Sequence, residues 1–221
     1  MNSIEVNTIP ICIIILLLSF AYSGVLTYLN LYAYQINLVN IASFFFIIYD
    51  IIVFLSRSIT GKVMDYKGHN IVMYPAFVFY ALSMFMLNTV NNGFVLLLIG
   101  GIMGLGFGNV QSATQVIAVK SASQPRISIA TSTYFIFFDA DFGLSPYLLG
   151  YITPLNGYAN IFGLMAIIIL ITGIVYFFIH GLKETKGKYS CIFIVFKSKY
   201  YNLIKILDTI NYSILGFFYF Y

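Results

Sequence analysis

The sequence predicts an all-α membrane protein with six transmembrane helices, and three observations carry that prediction. The 221 residues are 61% hydrophobic and only 8% charged, against about 25% charged in a soluble domain. Six apolar runs each reach the roughly 20 residues that a hydrocarbon core of about 30 Å demands. The Lys and Arg residues fall on one side of those runs, as cytoplasmic loops require.

The runs are Ile9–Leu31, Ile41–Ile59, Ile71–Thr89, Phe94–Val119, Ile127–Ile152 and Ala159–His180. The linkers between them, Gln35–Asn40, Gly61–Asn70, Val90–Gly93, Lys120–Arg126 and Thr153–Tyr158, are short, so successive helices run antiparallel. Arg57, Lys62 and Lys67 follow the second run, Lys120 and Arg126 follow the fourth, and Lys183, Lys186, Lys188, Lys197, Lys199 and Lys205 follow the sixth. The odd-numbered linkers hold no basic residue, which predicts six spans with both termini cytoplasmic. The expected location is the cell (plasma) membrane. Residues 1–182 form the predicted six-helix bundle, and residues 183–221 a basic, aromatic cytoplasmic tail.

The first run begins after Glu5 with no preceding basic residue and no small-residue cleavage site, so it reads as a span and not as a removable signal. It places Ser19, Ser23, Thr27, Asn30 and Tyr34 at steps of three or four, on one helical face. A polar stripe is tolerated in a membrane where it faces protein or water. The fourth run carries Gly100, Gly104 and Gly108, a small-x-x-x-small ladder that permits close backbone approach, and continues into Gln111, Ser112 and Gln115. These amides and hydroxyls read as a solute path or as interhelical hydrogen bonds.

The fifth run holds Phe138-Asp139-Ala140-Asp141-Phe142. An ionised Asp at the bilayer centre costs about 2.5–3.5 kcal/mol, so neither acid is expected to face lipid. Two residues of helix separate them by about 200°, so they do not share a cavity. Asp139 shares its face with Gly143, Pro146 and Gly150, a small and kinkable strip. A carboxylate withdrawn from water exchanges a proton more readily near physiological pH. Asp139 is therefore the candidate proton- or substrate-linked acid, with a structural hydrogen-bonded acid as the alternative. Asp50 is a third acid expected to be buried, and Asp141 has no assigned role.

Between the second and third runs lies Arg57-Ser-Ile-Thr-Gly61-Lys-Val-Met-Asp65-Tyr-Lys67-Gly68-His-Asn70. Gly61 and Gly68 suit a tight turn, and Asp65 can cap or pair with a helix end. The spacing G-x-x-x-D-x-K-G resembles the loop signature of the major facilitator superfamily, G-x-x-x-D-(R/K)-x-G-(R/K)-(R/K). Gly61, Asp65 and Gly68 match. Tyr66, His69 and Asn70 depart from it, and Lys67 keeps one charge nearby.

The segments Leu55–Gly61, Gly101–Gly108 and Thr131–Asp139 look like the eighth, tenth and eleventh helices of twelve-helix facilitators of the drug/proton antiporter kind. The resemblance covers Ile9 to about Leu182 and implies the C-terminal six-helix half, helices seven to twelve. It implies a secondary transporter, or half of one, moving a small amphiphilic or cationic solute outward in exchange for protons. In a facilitator half the first and fourth helices line the cavity, so Ser23, Thr27, Asn30, Gln111 and Gln115 become pathway candidates beside Asp139 and Asp50. Facilitators rock two halves about a midplane site, so a second six-helix half or a second copy is the implied partner.

The competing reading is a truncated, non-transporting fragment or a membrane interaction protein. It draws on the missing half and on the tail, which is either an amphipathic segment with Leu203, Leu207, Ile210 and Ile214 on one face or an unselected stretch with no function. An enzyme is not expected. The two histidines, His69 and His180, lie near loops, and no helix carries a catalytic set. Cys12 and Cys191 lie far apart and suggest no disulfide, metal site or cofactor. The scattered basic residues follow topology and do not indicate nucleic acid.

Overall fold

A computed structural model describes residues 5–181, without the side chains of residues 155 and 156. The tail, Cys191 and the proposed amphipathic face at 203–214 lie outside the described residues. Every described element is helical, and no strand occurs among the described residues. The helices are α1 (Ile9–Gln35), α2 (Val39–Lys67), α3 (Asn70–Asn88), α4 (Gly93–Met103), α5 (Asn109–Lys120) and α6 (Ile127–Tyr176). A π-helical turn, Gly104–Gly108, joins α4 to α5 into one rod.

Local chemistry sets the ends. Pro10 opens α1, where its missing N–H removes nothing from the ladder. The helix closes on Asn37 at φ 59°, with Leu38 N–H donating to Ala33 O at 2.8 Å and Asn37 N–H to Tyr34 O at 3.2 Å. That pairing satisfies two of the carbonyls a helix end leaves without partners. Asn92 caps α4 by accepting from Phe94 N–H at 3.1 Å. Gly68 (φ 89°, ψ 167°) stops α2, and Gly157 (φ 76°, ψ 160°) divides α6. Both occupy a backbone region open essentially to glycine alone.

Side-chain contacts fix the helix directions. Ile41, Phe45, Tyr49 and Val53 of α2 meet Gly93, Gly100, Gly104 and Gly108 in the same order, so α2 runs parallel to the α4–α5 rod. Ser19 meets Asp141 and Tyr28 meets Pro146, so α1 runs parallel to the first half of α6. Asn70, Phe77 and Asn88 of α3 meet Tyr176, Gly173 and Gly163 in reverse order, so the second half of α6 runs antiparallel to α3. The chain thus passes through the bundle six times, reversing at Gly157.

Among the described residues, five segments are long and apolar enough to cross a membrane: Val6–Gln35, Val39–Lys67, Asn70–Asn88, Gly93–Lys120 and Gly157–Gly181. The pass over 127–156 is also helical and carries two aspartates and several hydroxyl residues, so it is more polar than these five. The expected turn over 61–70 is helix as far as Lys67, leaving only Gly68 and His69 as connection. Gly61, Asp65 and Lys67 therefore lie on the last two turns of α2, not in a loop.

The basic residues of the described segment gather at one end. Arg126 Nε lies 2.9 Å from Glu5 Oε2, and Lys120 Nζ lies 3.5 Å from His69 Nε2. Such a bundle is compatible with a multi-pass membrane protein and suggests a lipid bilayer as its surroundings.

Candidate functional site

The centre of the bundle is built on the rod's glycines. A Cβ on Gly100 would lie 2.9 Å from Phe45 O, one on Gly104 2.8 Å from Tyr49 O, and one on Gly108 2.4 Å from a Val53 methyl. Gly106 faces the other way, where a Cβ would lie 2.5 Å from Tyr80 N. The rod is therefore gripped by α2 on one side and α3 on the other. The π turn widens the helix by one residue there, a feature often found at functional positions. Phe107 projects from it and stacks on Tyr22 at 4.3 Å between centroids, with Tyr80 at 5.3 Å.

Two residues on, Asn109 is 4% exposed. Its Nδ2 donates to Leu105 O at 2.8 Å, while Oδ1 accepts from Thr60 at 2.8 Å and from Ser56 at 3.3 Å. Burial of this amide is offset by three hydrogen bonds, two of which tie the rod to α2. Below it, Arg57 donates to Gln111 Oε1 at 3.4 Å, and Tyr134 donates to Gln111 O at 3.0 Å.

The buried acid is Asp141, 2% exposed. It belongs to the α6 stripe Tyr134, Phe138, Asp141, Ser145 and Leu149, all buried, at steps of three or four. Across that stripe lies α1. Ser19 hydrogen-bonds the Asp141 carboxyl, Ser145 donates to Phe20 O at 3.0 Å, and Tyr28 donates to Pro146 O at 2.8 Å. The Ser19 oxygen also lies 2.8 Å from Ile15 O. One hydroxyl hydrogen cannot serve both the Ile15 carbonyl and a carboxylate. With Asp141 ionised, Ser19 donates to it. With Asp141 protonated, the acid donates to Ser19, and Ser19 donates to Ile15. The pair therefore accommodates either state by changing hydrogen-bond direction.

This reverses the expected burial of the acids. Asp139 is exposed on the outer side of α6, and Asp50 is exposed on α2. The 200° separation holds, but the half of the helix turned inward is the one bearing Asp141. Of the expected α1 stripe, Ser19 and Ser23 are buried, Thr27 is half-buried, and Asn30 and Tyr34 are exposed. Gln111 and Gln115 are half-buried. Around Gly143 a Cβ would meet nothing within 4 Å, whereas Gly150 approaches the Tyr28 hydroxyl, 3.5 Å from where its Cβ would lie. Gly61 likewise has open space. The structure thus brings Ser19 and Asp141 together, and Arg57 with Gln111, but leaves Asp139 and Asp50 on the outside. The sequence reading missed Asp141 and Asn109. The apolar stripe Tyr134, Phe138, Leu149 was the available signal for the first. No group of three His, Cys, Asp or Glu side chains that could hold a metal occurs among the described residues.

Among the described residues these features define an all-helical bundle of membrane type, with a hydrogen-bonded polar core at mid-bundle. No protein-family model matches the chain, and no curated protein matches it significantly.

Proposed function

We propose that the chain is one wall of a secondary transporter of the major-facilitator type, working with a second six-helix bundle, either a separate first half or another copy. The observation that carries this reading is the outward position of Asp50 and Asp139 at mid-bundle. Asp50 follows Tyr49, which packs on Gly104, and Asp139 is two residues from the Ser19–Asp141 pair. In hydrocarbon each ionised aspartate would cost about 2.5–3.5 kcal/mol. Facing a second bundle across a water-filled path, neither meets that penalty.

In this reading the basic end is cytoplasmic, with both termini there, and the pass over 127–156 is the sixth crossing, sheltered by protein on both faces. Asp139 meets the solute or proton from the path, and Asp141 with Ser19 takes up or releases a proton while holding α1 to α6. The solute is a small amphiphilic or cationic molecule moved outward across the plasma membrane in exchange for protons. The broad apolar outer face of α2, with Phe44, Ile47, Ile51 and Phe54 exposed, favours one second reading, a membrane interaction protein that transports nothing.

The full chain, alone and co-expressed with a six-helix partner, is reconstituted in sealed vesicles with an imposed pH gradient and loaded with tetraphenylphosphonium. Gradient-driven release that Asp139→Asn abolishes supports the transporter. Release indifferent to Asp139→Asn removes its coupling role, and no release in either preparation favours the interaction protein.

A further inference from the structure

Between α3 and the second half of α6 runs an open groove of about 800 Å³. Small residues make it: Ala81, Gly163 and Ala166 form the floor, and Val78, Phe85 and Ile167 stand along its rims. At one end it is bounded by the amides Asn88 and Asn160. From Val78 to Asn88 the groove follows ten residues of helix, about 15 Å, which is half of a hydrocarbon core of about 30 Å. Asn88 closes α3 at the end remote from the basic residues, and Val78 is near the middle of that helix. The groove therefore spans one leaflet, with its polar end at the water interface and its apolar end at the midplane.

The Asn88 carboxamide is half-buried and makes no side-chain hydrogen bond among the described residues. At the water interface its N–H groups can donate to water or to an ester carbonyl of the headgroup region. The lining residues include no charged side chain, so nothing there selects an anionic headgroup. Because α3 and α6 touch at Gly163 and Gly173, the floor is a narrow slot. A single hydrocarbon chain reaches it, whereas a helix about 10–12 Å across rides on the rims.

We propose that this groove is a binding site for one glycerophospholipid of the leaflet remote from the basic end, with an acyl chain along Ala81 and Ala166 and a glycerol-ester carbonyl accepting from Asn88. The site requires the membrane placement but not transport, so loss of lipid binding with efflux intact, or the reverse, separates the two readings.

The test uses the full-length chain in a mild detergent, titrated with dioleoylphosphatidylcholine and read by native mass spectrometry. One lipid per chain is expected to be retained. Asn88→Leu weakens retention about fivefold, the worth of one hydrogen bond, Asn88→Gln restores it, and Ala166→Leu, which fills the floor, abolishes it. Circular dichroism checks each variant's helicity. If Ala166→Leu loses its fold, the contrast between Asn88→Leu and Asn88→Gln decides the matter alone. Retention equal in all variants, or none in the parent chain, overturns the proposal. A dimer that forms without retained lipid and that Ala166→Leu dissolves overturns it in favour of a second copy.

Discussion

Gly106→Ala is the most informative single change, because a methyl there has nowhere to go. Its Cβ would lie 2.5 Å from Tyr80 N, 2.7 Å from Tyr80 Cα and 2.8 Å from Tyr80 Cβ. Backbone atoms cannot swing aside as a side-chain tip can, so the rod and α3 must separate. Moving from 2.5 Å to an ordinary contact of 3.4 Å takes about 0.9 Å. Separation on that scale also disturbs Phe107, whose stacking on Tyr22 at 4.3 Å depends on the rod's position. Overpacking costs about 1–3 kcal/mol, and loss of an aromatic pair about 0.5–1.5 kcal/mol. The gain from replacing a helical glycine offsets about 0.5–1 kcal/mol. The net destabilisation is therefore about 2 kcal/mol. The assay is reversible unfolding in mixed micelles, followed by tyrosine near-ultraviolet circular dichroism, since the chain has no tryptophan. Gly61→Ala is the paired control: it sits within α2 and a Cβ meets nothing within 4 Å, so it should be neutral or stabilise by up to about 1 kcal/mol. If Gly106→Ala unfolds like the parent chain, or Gly61→Ala is as damaging as Gly106→Ala, the packing argument fails.

Ser19→Ala should destabilise by about 1–3 kcal/mol, because it leaves the buried Asp141 carboxyl without its hydroxyl. Asp141→Asn should cost less, since an amide still bonds Ser19; equal losses in the same unfolding assay would contradict this. Gly157→Ala and Gly68→Ala should each cost about 1–3 kcal/mol through backbone conformation alone. At Gly157 a Cβ would touch nothing within 4 Å, so a neutral Gly157→Ala would show that the reversal is not where the structure puts it. Single cysteines at Ser123 and Asn91, in a chain lacking Cys12 and Cys191, should label with impermeant maleimide from opposite sides of sealed vesicles. Labelling of both from the same side would contradict the up-and-down order of the passes.

The helices were legible because apolar runs of membrane length leave little else for the chain to do. Their phase was legible where small residues recur at steps of four, as at Gly100, Gly104 and Gly108, since only a close neighbour makes use of them. The end of α2 was not, because the apolar run stops near Ile59 while the helix continues to Lys67. Lys62, Val63 and Met64 tolerate helix, and nothing before Gly68 stops it. Composition marks where lipid ends, not where hydrogen bonding ends. Nor did the two aspartates declare which was inward: rotation gives their relative angle, but the partner helix chooses the face. Here α1 offers Ser19 to the stripe that already carries Tyr134, Phe138 and Leu149.

That choice also bears on the pass over 127–156, which is helical but more polar than the five apolar segments. Along 127–156 the polar groups turned toward α1 all have partners: Thr133 accepts from Glu5 N–H at 3.3 Å, Ser145 donates to Phe20 O, and Asp141 meets Ser19. Hydropathy charges each of these groups as though it met hydrocarbon, yet α1 and the segment leading into it supply the hydrogen bonds that water otherwise would. The polarity of that segment is thus partly a record of its neighbour. Asp139 has no such partner on α1, being about 200° from the α1-facing stripe. What remains polar after α1 is taken into account is this outer face, which carries Asp139.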